Sequence, residues 1–413
     1  MELMEQVGEI LATGPVCDHC LGRFFGKRSF GLSNDERGRA LRTTHHLITN
    51  TPYSPCEETC WICGDLFREI GDWADRVVAA LAGIEFRTFL IGTRVPPLLA
   101  ESEEMVWSDL ALTDPEPLKA EMNREVGKRV AARTGAGFDP GAPDVVAVLD
   151  IPGDRVEVEI RSVYIRGRYC KYERGIPQTR WYCRACRGEG CEMCGYTGKQ
   201  YADSVEELIG RAVVPAMGAK DAILHAAGRE DIDARMLGSG RPFVLEVVAP
   251  RIRERDLSCL EEEITAGAEG RVAVTLEGWT TRKEVETLKS DKAHKKYRIL
   301  VEFDGTVPET ALQHALDQLK GACINQRTPV RVAHRRADLV RRRRVIDATL
   351  SGEEADGYLL DIVGDAGLYI KELVSGDDGR TRPSLAELVG CTARVARLDV
   401  LEVGDSPADQ TPG

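Results

Sequence analysis

Eight cysteines fall into four C-x-x-C pairs: "CDHC" (Cys17, Cys20), "CWIC" (Cys60, Cys63) and the two halves of "CRACRGEGCEMC" (Cys183, Cys186 and Cys191, Cys194). Each pair offers two thiolates from one tight turn, and two pairs complete the four-sulfur tetrahedron that zinc favours. The last two pairs are separated by four residues, "RGEG", so a short loop joins them. The first two must meet across a 39-residue insert, with Cys56, His19, His45 and His46 as rival ligands. Gly64 and Gly195 directly follow their pairs, where a left-handed residue completes the turn. Four thiolates leave no open coordination position, which points to one or two structural Zn2+ ions rather than a catalytic metal. A redox role fits less well, because a thioredoxin-type pair stands alone at a helix start. Cys170, Cys259, Cys323 and Cys391 are isolated and read as ordinary buried thiols.

A second stretch invites chemistry of another kind. "GREDIDARMLGSGRPF" (228–243) crowds Arg229, Glu230, Asp231, Asp233, Arg235 and Arg241 among Gly228, Gly238 and Gly240. Neither a packed core nor a surface helix calls for that mixture. An ion-paired surface loop is one reading; a carboxylate held for reaction is the other. The chain as a whole carries a net charge of -12, yet "RTPVRVAHRRADLVRRRR" (327–344) holds eight arginines and one acid. Nucleic acid is met by local patches, so an acidic total excludes nothing. The arginines alternate with Val330, Val332, Leu339 and Val340, which predicts strands with one basic face. Arginine's planar fork suits phosphate.

Other classes recede. There is no G-x-x-x-x-G-K-[ST], no G-x-G-x-x-G after a strand and no H-E-x-x-H, which argues against ATP, a dinucleotide or a zincin. "MELMEQVGEILATG" has acids and no basic start, unlike a secretory signal, and no apolar run approaches a membrane span. A cytoplasmic protein is expected, a compartment in which disulfides are uncommon.

The elements that must carry these residues alternate in type. Helices are predicted at 34–48, 65–81 (Leu66, Ile70, Trp73, Val77 and Leu81 in helical spacing), 115–134, 204–217 and 308–321. Strands are predicted in "FRTFLIGTRV", "DVVAVLDI", "RVEVEIRSVYIRGRY", "PFVLEVVAP", "GRVAVTLEGW", "KYRILVEFDG" and "DGYLLDIVG", with "AGLYIKELV" as a strand or strand-to-helix segment. An α/β module ending near residue 170 is followed by strand-rich sequence broken by single helices. The whole reads as α+β, with a mixed or antiparallel sheet in its second part.

Three stretches, "GREDIDARMLGSGRPF", "RTPVRVAHRRADLVRRRRV" and "GLYIKELVSGDDGRTRPSL", together resemble the archaeal-type, THUMP-containing tRNA pseudouridine synthases that modify positions 54 and 55 of the T-arm. The resemblance spans essentially the whole chain. It implies a zinc-binding and THUMP-type tRNA-binding region over 1–170, a second zinc-binding insertion over 171–200 and a pseudouridine synthase catalytic domain over 201–413. The implied reaction breaks the C1′–N1 bond of uridine, turns the base and rejoins it through C5. No cofactor is needed for that chemistry. The implied partner is tRNA, with no membrane, no nucleotide cofactor and no obligatory protein partner.

The resemblance also distributes roles. Its Gly-Arg-x-Asp-like loop is Gly228-Arg229-Glu230-Asp231, so the essential carboxylate is Asp231, with Asp233 as a rival. It would either add covalently or take a proton from C2′ to give a glycal. The "GLYIK" segment supplies Lys371 as its cation, with Leu368 where the family pattern has threonine. Leu373 would pack against the flipped base and Tyr297 would stack on it, while Tyr369 reads as core packing. Arg229, Arg235, Arg241, Arg331, His334, Arg335 and Arg336 are assigned to substrate RNA, the first three as phosphate contacts or loop anchors. The alternatives are a non-catalytic zinc-containing tRNA-binding protein or another THUMP-type tRNA-modifying enzyme. The latter would need an S-adenosylmethionine or ATP loop, and the sequence contains neither.

Overall fold

The computed structural model describes residues 3–113, 115–290, 293–335 and 337–404, with backbone alone at 289, 290, 334 and 335. The chain divides into two units between Arg161 and Ser162.

In the first unit, β1 (Thr88–Arg94), β2 (Gly137–Phe138), β3 (Val145–Asp150) and β4 (Arg155–Ile160) form one sheet in the order β2-β1-β3-β4. β1 lies parallel to β3, and β4 runs antiparallel to β3. Alternation along β1 and β3 turns Phe89, Ile91, Val145, Ala147 and Leu149 inward. The helix predicted over 115–134 forms at Leu118–Thr134 and lays Met122, Val126 and Val130 into the same core. The segment 65–81 becomes a 3-10 turn, Leu66–Glu69, and a helix, Ile70–Ala80, burying Ile70, Trp73, Ala74 and Val77 as its spacing predicts. Helix Asn34–Thr49 opens with a capping box in which Ser33 and Glu36 satisfy each other's backbone donors.

The second unit is built on a ten-stranded sheet of β5 (Val163–Lys171), β6 (Asp221–Ala226), β7 (Arg235–Val248), β8 (Val272–Thr280), β9 (Lys295–Phe303), β10 (Cys323–Arg327), β11 (Val340–Glu354), β12 (Gly357–Gly364), β13 (Thr381–Arg382) and β14 (Ala393–Val403). The order is β13-β10-β11-β12-β9-β14-β7-β5-β8, with β6 also pairing β7. Every described pairing in it is antiparallel except β14 with β7. Helices Val205–Ala216, Leu257–Gly267 and Glu309–Leu319 close the core. The α+β class and mixed sheet expected from the sequence are what the chain adopts.

Three expectations change. "RVEVEIRSVYIRGRY" is two strands in different sheets, β4 and β5, so the first module ends at Arg161 rather than near 170. The inward positions pass from even numbers (Val156, Val158, Ile160) to odd ones (Val163, Ile165, Tyr169), so the alternation slips by one residue where the chain changes sheet. The basic run is not strand throughout: Val330–Arg335 is a 3-10 turn, and Val330, Leu339 and Val340 are exposed while Val332 is buried. Finally, the glycines of 228–243 serve the protein's own packing. Gly238 has φ +61°, and a Cβ there would lie 2.0 Å from the Leu401 carbonyl oxygen on β14. Only glycine lets β7 bend this close to its neighbour.

Candidate active site and thiolate clusters

The loop between β6 and β7 carries Asp231 and Asp233. Two other elements reach it. The short helix Ile370–Ser375 buries Ile370, Leu373 and Val374, which leaves Lys371 on its other side. The 3-10 turn Val330–Arg335 brings Arg331. The result is a line of alternating charge. Lys371 Nζ donates to Asp233 at 2.6 Å and stands 3.6 Å from Asp231. Arg331 approaches Asp231 at 3.2 Å and donates through Nε to Glu372 at 2.6 Å. Asp231 therefore sits between two cations with its side chain 34% exposed, ionised partners on both sides and one side open. Burial pushes the Asp233 carboxyl up, but Lys371 more than offsets it and the group titrates below the usual aspartate range. Burial likewise opposes the charge on Arg331, and Glu372 with Asp231 holds it on.

Buried polar groups fix the loop from behind. Glu230 is 6% exposed; its carboxylate accepts from Arg241 Nε at 2.7 Å and from the Tyr169 hydroxyl at 2.9 Å. Gln178 donates to the Tyr169 oxygen at 2.8 Å and to the Gly228 carbonyl at 3.1 Å. Burial raises the Tyr169 phenol well above its ordinary value, with Glu230 adding to the rise, so it stays a donor. Burial also pushes Glu230 up, and Arg241 and Lys171 bring it net below the usual range. The start of the Lys371 helix is pinned by the buried Gln326, which exchanges two 2.9 Å hydrogen bonds with the backbone of Tyr369. Arg380 donates to the Thr328 carbonyl at 2.7 Å, and Asp377 accepts from the Val330 N–H at 3.2 Å, so the "GDDGRTRP" segment anchors the turn that carries Arg331. Tyr297 on β9 is 9% exposed, and burial pushes its phenol up to about 12, with Arg241 lowering and Asp231 raising it.

Both cysteine sets assemble. Cys17, Cys20, Cys60 and Cys63 form one cluster; Cys183, Cys186, Cys191 and Cys194 form another, each with all sulfurs within 4.8 Å. Closest separations are 3.7 Å for Cys17–Cys63 and Cys191–Cys194 and 3.9 Å for Cys183–Cys191 and Cys186–Cys194. Sulfurs at the corners of a tetrahedron around a thiolate-bound zinc lie about 3.8 Å apart, so both sets fit such an ion. Gly64 and Gly195 take φ of +57° and +58°, as the knuckle turns require. The rivals do not join: His19 bonds Glu121 at 2.7 Å, and Cys56 points to the Glu58 carbonyl.

Two family models match: "Pus10 THUMP domain, archaeal" over residues 73–150 and "Pus10, C-terminal" over residues 164–404. The chain is 45% identical to the tRNA pseudouridine synthase Pus10 of Methanothrix thermoacetophila, covering 98% of this chain and 95% of that protein. It is also 45% identical to the Pus10 of Halorubrum lacusprofundi, covering 98% and 96%. This chain belongs to the Pus10 family. It is an isomerase of the pseudouridine synthase class, so the non-catalytic alternative and the other THUMP-type enzymes give way. A solved Cbf5-Nop10-Gar1 complex is matched at a TM-score of 0.31 and 17% identity, covering 48% of this chain and 45% of that one, a likeness too faint to carry an argument.

Within this Pus10 chain the structure redistributes several expected roles. Arg241 is 1% exposed and paired with Glu230, so it is a buried strut and cannot meet a phosphate. Arg235 is engaged on Asp399 at 2.7 and 3.0 Å. Arg229 is exposed, its guanidinium 4.7 Å above the Trp181 ring. Leu373 is 0% exposed in the helix core and offers no surface to a base. Tyr369 is only partly buried, with Arg331 6.0 Å above its ring, rather than a core aromatic. Arg331 faces Asp231 and Glu372 rather than an open phosphate track. His334 and Arg335 lie in the 3-10 turn with side chains outside the described set, and Arg336 lies outside the described residues. Cys259 and Cys323 are exposed and Cys170 and Cys391 partly so, not buried thiols. Sequence reasoning passed over Glu230, Tyr169, Lys171, Gln326 and Glu372. The period-two pattern of the strands was the available signal for Tyr169, Lys171 and Gln326.

Proposed function

We propose that this enzyme converts uridine to pseudouridine at position 54, position 55 or both in the T-arm of tRNA, with Asp231 as the essential carboxylate. The observation that carries the reading is the placement of Asp231: one-third exposed, between Arg331 and Lys371, on a loop braced by the buried Glu230–Arg241 pair. The isomerisation balances within the nucleotide. C1′–N1 breaks, C1′–C5 forms, C5 gives up a proton and N1 gains one. Asp231 serves either by adding to the reacting nucleotide or by taking the C2′ proton; Arg331 and Lys371 flank its carboxylate for either task. Tyr297, whose phenol feels both Asp231 and Arg241, is the proposed stacking partner of the turned base. Arg229 and the exposed Arg342 and Arg344 of β11 are proposed to meet phosphate. Zinc is the proposed occupant of both thiolate clusters, where Cys17, Cys20, Cys60 and Cys63, and Cys183, Cys186, Cys191 and Cys194, would hold it as a cross-link between chain segments. No helix among the described residues is long and apolar enough to cross a membrane, and the proposed location is the cytoplasm.

The test is position-resolved pseudouridine mapping on an unmodified tRNA transcript. Wild type is expected to modify the T-arm without added cofactor. Asp231→Asn is expected to bind the same transcript and form none. Full activity in Asp231→Asn would overturn the site assignment, and an inactive wild type on every tRNA would overturn the substrate.

A further inference from the structure

We infer that Lys171 is a positioning residue for Asp231, acting through the main chain of the reacting loop. The inference rests on Asp231 being the reacting carboxylate. Along β5, Ile165, Gly167, Tyr169 and Lys171 share the inward face, so an ammonium occupies a register position that normally takes an apolar side chain. Lys171 is 0% exposed. Its Nζ donates to three main-chain carbonyls: Ile176 at 2.9 Å, Ile232 at 3.2 Å and Asp231 at 3.3 Å. That uses all three of its N–H groups. The Glu230 carboxylate stands 3.9 Å away, outside hydrogen-bond range, and is satisfied by Arg241 and Tyr169 instead. The Gly175 N–H adds a second donor to the Ile232 carbonyl at 2.9 Å.

Asp231 is thus held at both ends. Arg331 and Lys371 take its carboxylate, and Lys171 takes its carbonyl and the next one. Buried cations are retained only where their hydrogen bonds are met. Here those bonds set the two peptide planes from which the Asp231 side chain departs. A loop shifted by about 1 Å would strand the acceptors and move the reacting oxygen, a displacement that costs about a hundredfold in rate. Lys171 reaches no substrate atom in this arrangement; its effect passes through the loop.

Wild type, Lys171→Met, Lys171→Gln and Asp231→Asn are compared on one unmodified tRNA transcript, with folding followed by circular dichroism. Lys171→Met is expected to lose about a hundredfold in kcat with KM and transcript affinity unchanged. Lys171→Gln keeps two donors and is expected to lose less. A folded Lys171→Met with wild-type kcat, or with its loss carried by KM alone, overturns the inference while leaving the functional reading intact. Wild type inactive on every tRNA overturns the functional reading instead. If neither Lys171 variant folds, 15N-lysine-labelled wild type decides: one ammonium resonance shielded from solvent exchange is expected, and its absence overturns the inference.

Discussion

One ammonium, that of Lys371, is shared unequally between two carboxylates: it donates to Asp233 at 2.6 Å and stands 3.6 Å from Asp231. The shorter bond goes to the aspartate that lies farther from Arg331's reach, and Asp231 compensates by facing Arg331 at 3.2 Å. The two aspartates are therefore separable by mutation. Asp233→Asn is expected to keep pseudouridine formation within about tenfold of wild type, because Lys371 can then close on Asp231. Asp231→Asn is expected to lose about a thousandfold or more, the scale of a group that takes part in the reaction. Single-turnover rates on one transcript compare the two; equal losses would mean that the carboxylates act as a pair.

Arg241 is expected to matter for stability rather than for RNA contact. Arg241→Met leaves Glu230 buried without its nearest cation, a change that costs about 3–5 kcal/mol. Arg229→Ala removes an exposed cation from the Trp181 face and is expected to cost only about 0.5–1 kcal/mol. Urea midpoints measure both, and a mild Arg241→Met would show that the strut is dispensable.

The two thiolate clusters are expected to lose metal in sequence. Cys20, Cys60 and Cys63 are at most 1% exposed, whereas Cys186, Cys191 and Cys194 are only partly buried. A chelator should therefore empty the second cluster first and the first only as its unit unfolds. A chromogenic zinc indicator followed over time is expected to show two phases, each of about one ion per chain. A single fast phase would contradict the difference in burial.

Acid stability follows from carboxylates whose folded pKa values are depressed. Burial pushes Asp399 and Asp361 up, but Arg235 and Arg174, and Arg298 and Lys296, bring them net below the ordinary 3.8. Between that value and the folded one, the unfolded chain binds more protons, so stability rises with pH across that window. Their contribution is complete above about pH 5 and is lost as pH falls through the folded values. Urea midpoints of the second unit are expected to be flat from neutral to about pH 5 and to fall steeply below about 4. A decline beginning above pH 6 would point to other groups.

Local pattern made the cysteine clusters, the helices at 34–48, 65–81, 115–134, 204–217 and 308–321, and the inward faces of many strands legible, because each is written in neighbouring residues; Leu3–Ala12, Pro97–Asp109, Leu257–Gly267 and Arg282–Ser290 were not. The spacing of Ile70, Trp73 and Val77 predicted the helix that buries them, with Leu66 buried in the 3-10 turn before it. The charge line around Asp231 was not legible in the same way. Arg331 lies 100 residues from Asp231, and Lys371 lies 138 from Asp233, and no local period encodes such meetings. The resemblance supplied Lys371 but gave Arg331 to RNA. Charge type points Arg241 toward RNA, but register points it inward: Arg241, Phe243, Leu245 and Val247 alternate on the buried face of β7. Leu373, spaced three residues from Ile370 on a short helix, carried the same kind of warning. The change of sheet at Arg161 is marked only by a one-residue slip in the alternation, from Val156, Val158 and Ile160 to Val163, Ile165 and Tyr169, a signal easily read as one continuous strand.

β14, the last strand among the described residues, is not at an edge of its sheet but between β9 and β7, with the bend at Gly238 fitted against it. During synthesis, β7 and β9 leave the ribosome long before the strand that joins them. Until then the nascent sheet is split in two, with two open edges seeking a partner. Because β7 follows directly from the loop bearing Asp231, the strand that leads out of that loop gains its β14 neighbour only once residues 393–403 are present. A chain that stops before residue 393 would lack this central strand and leave the edges of β7 and β9 unpaired, which favours aggregation over the native sheet.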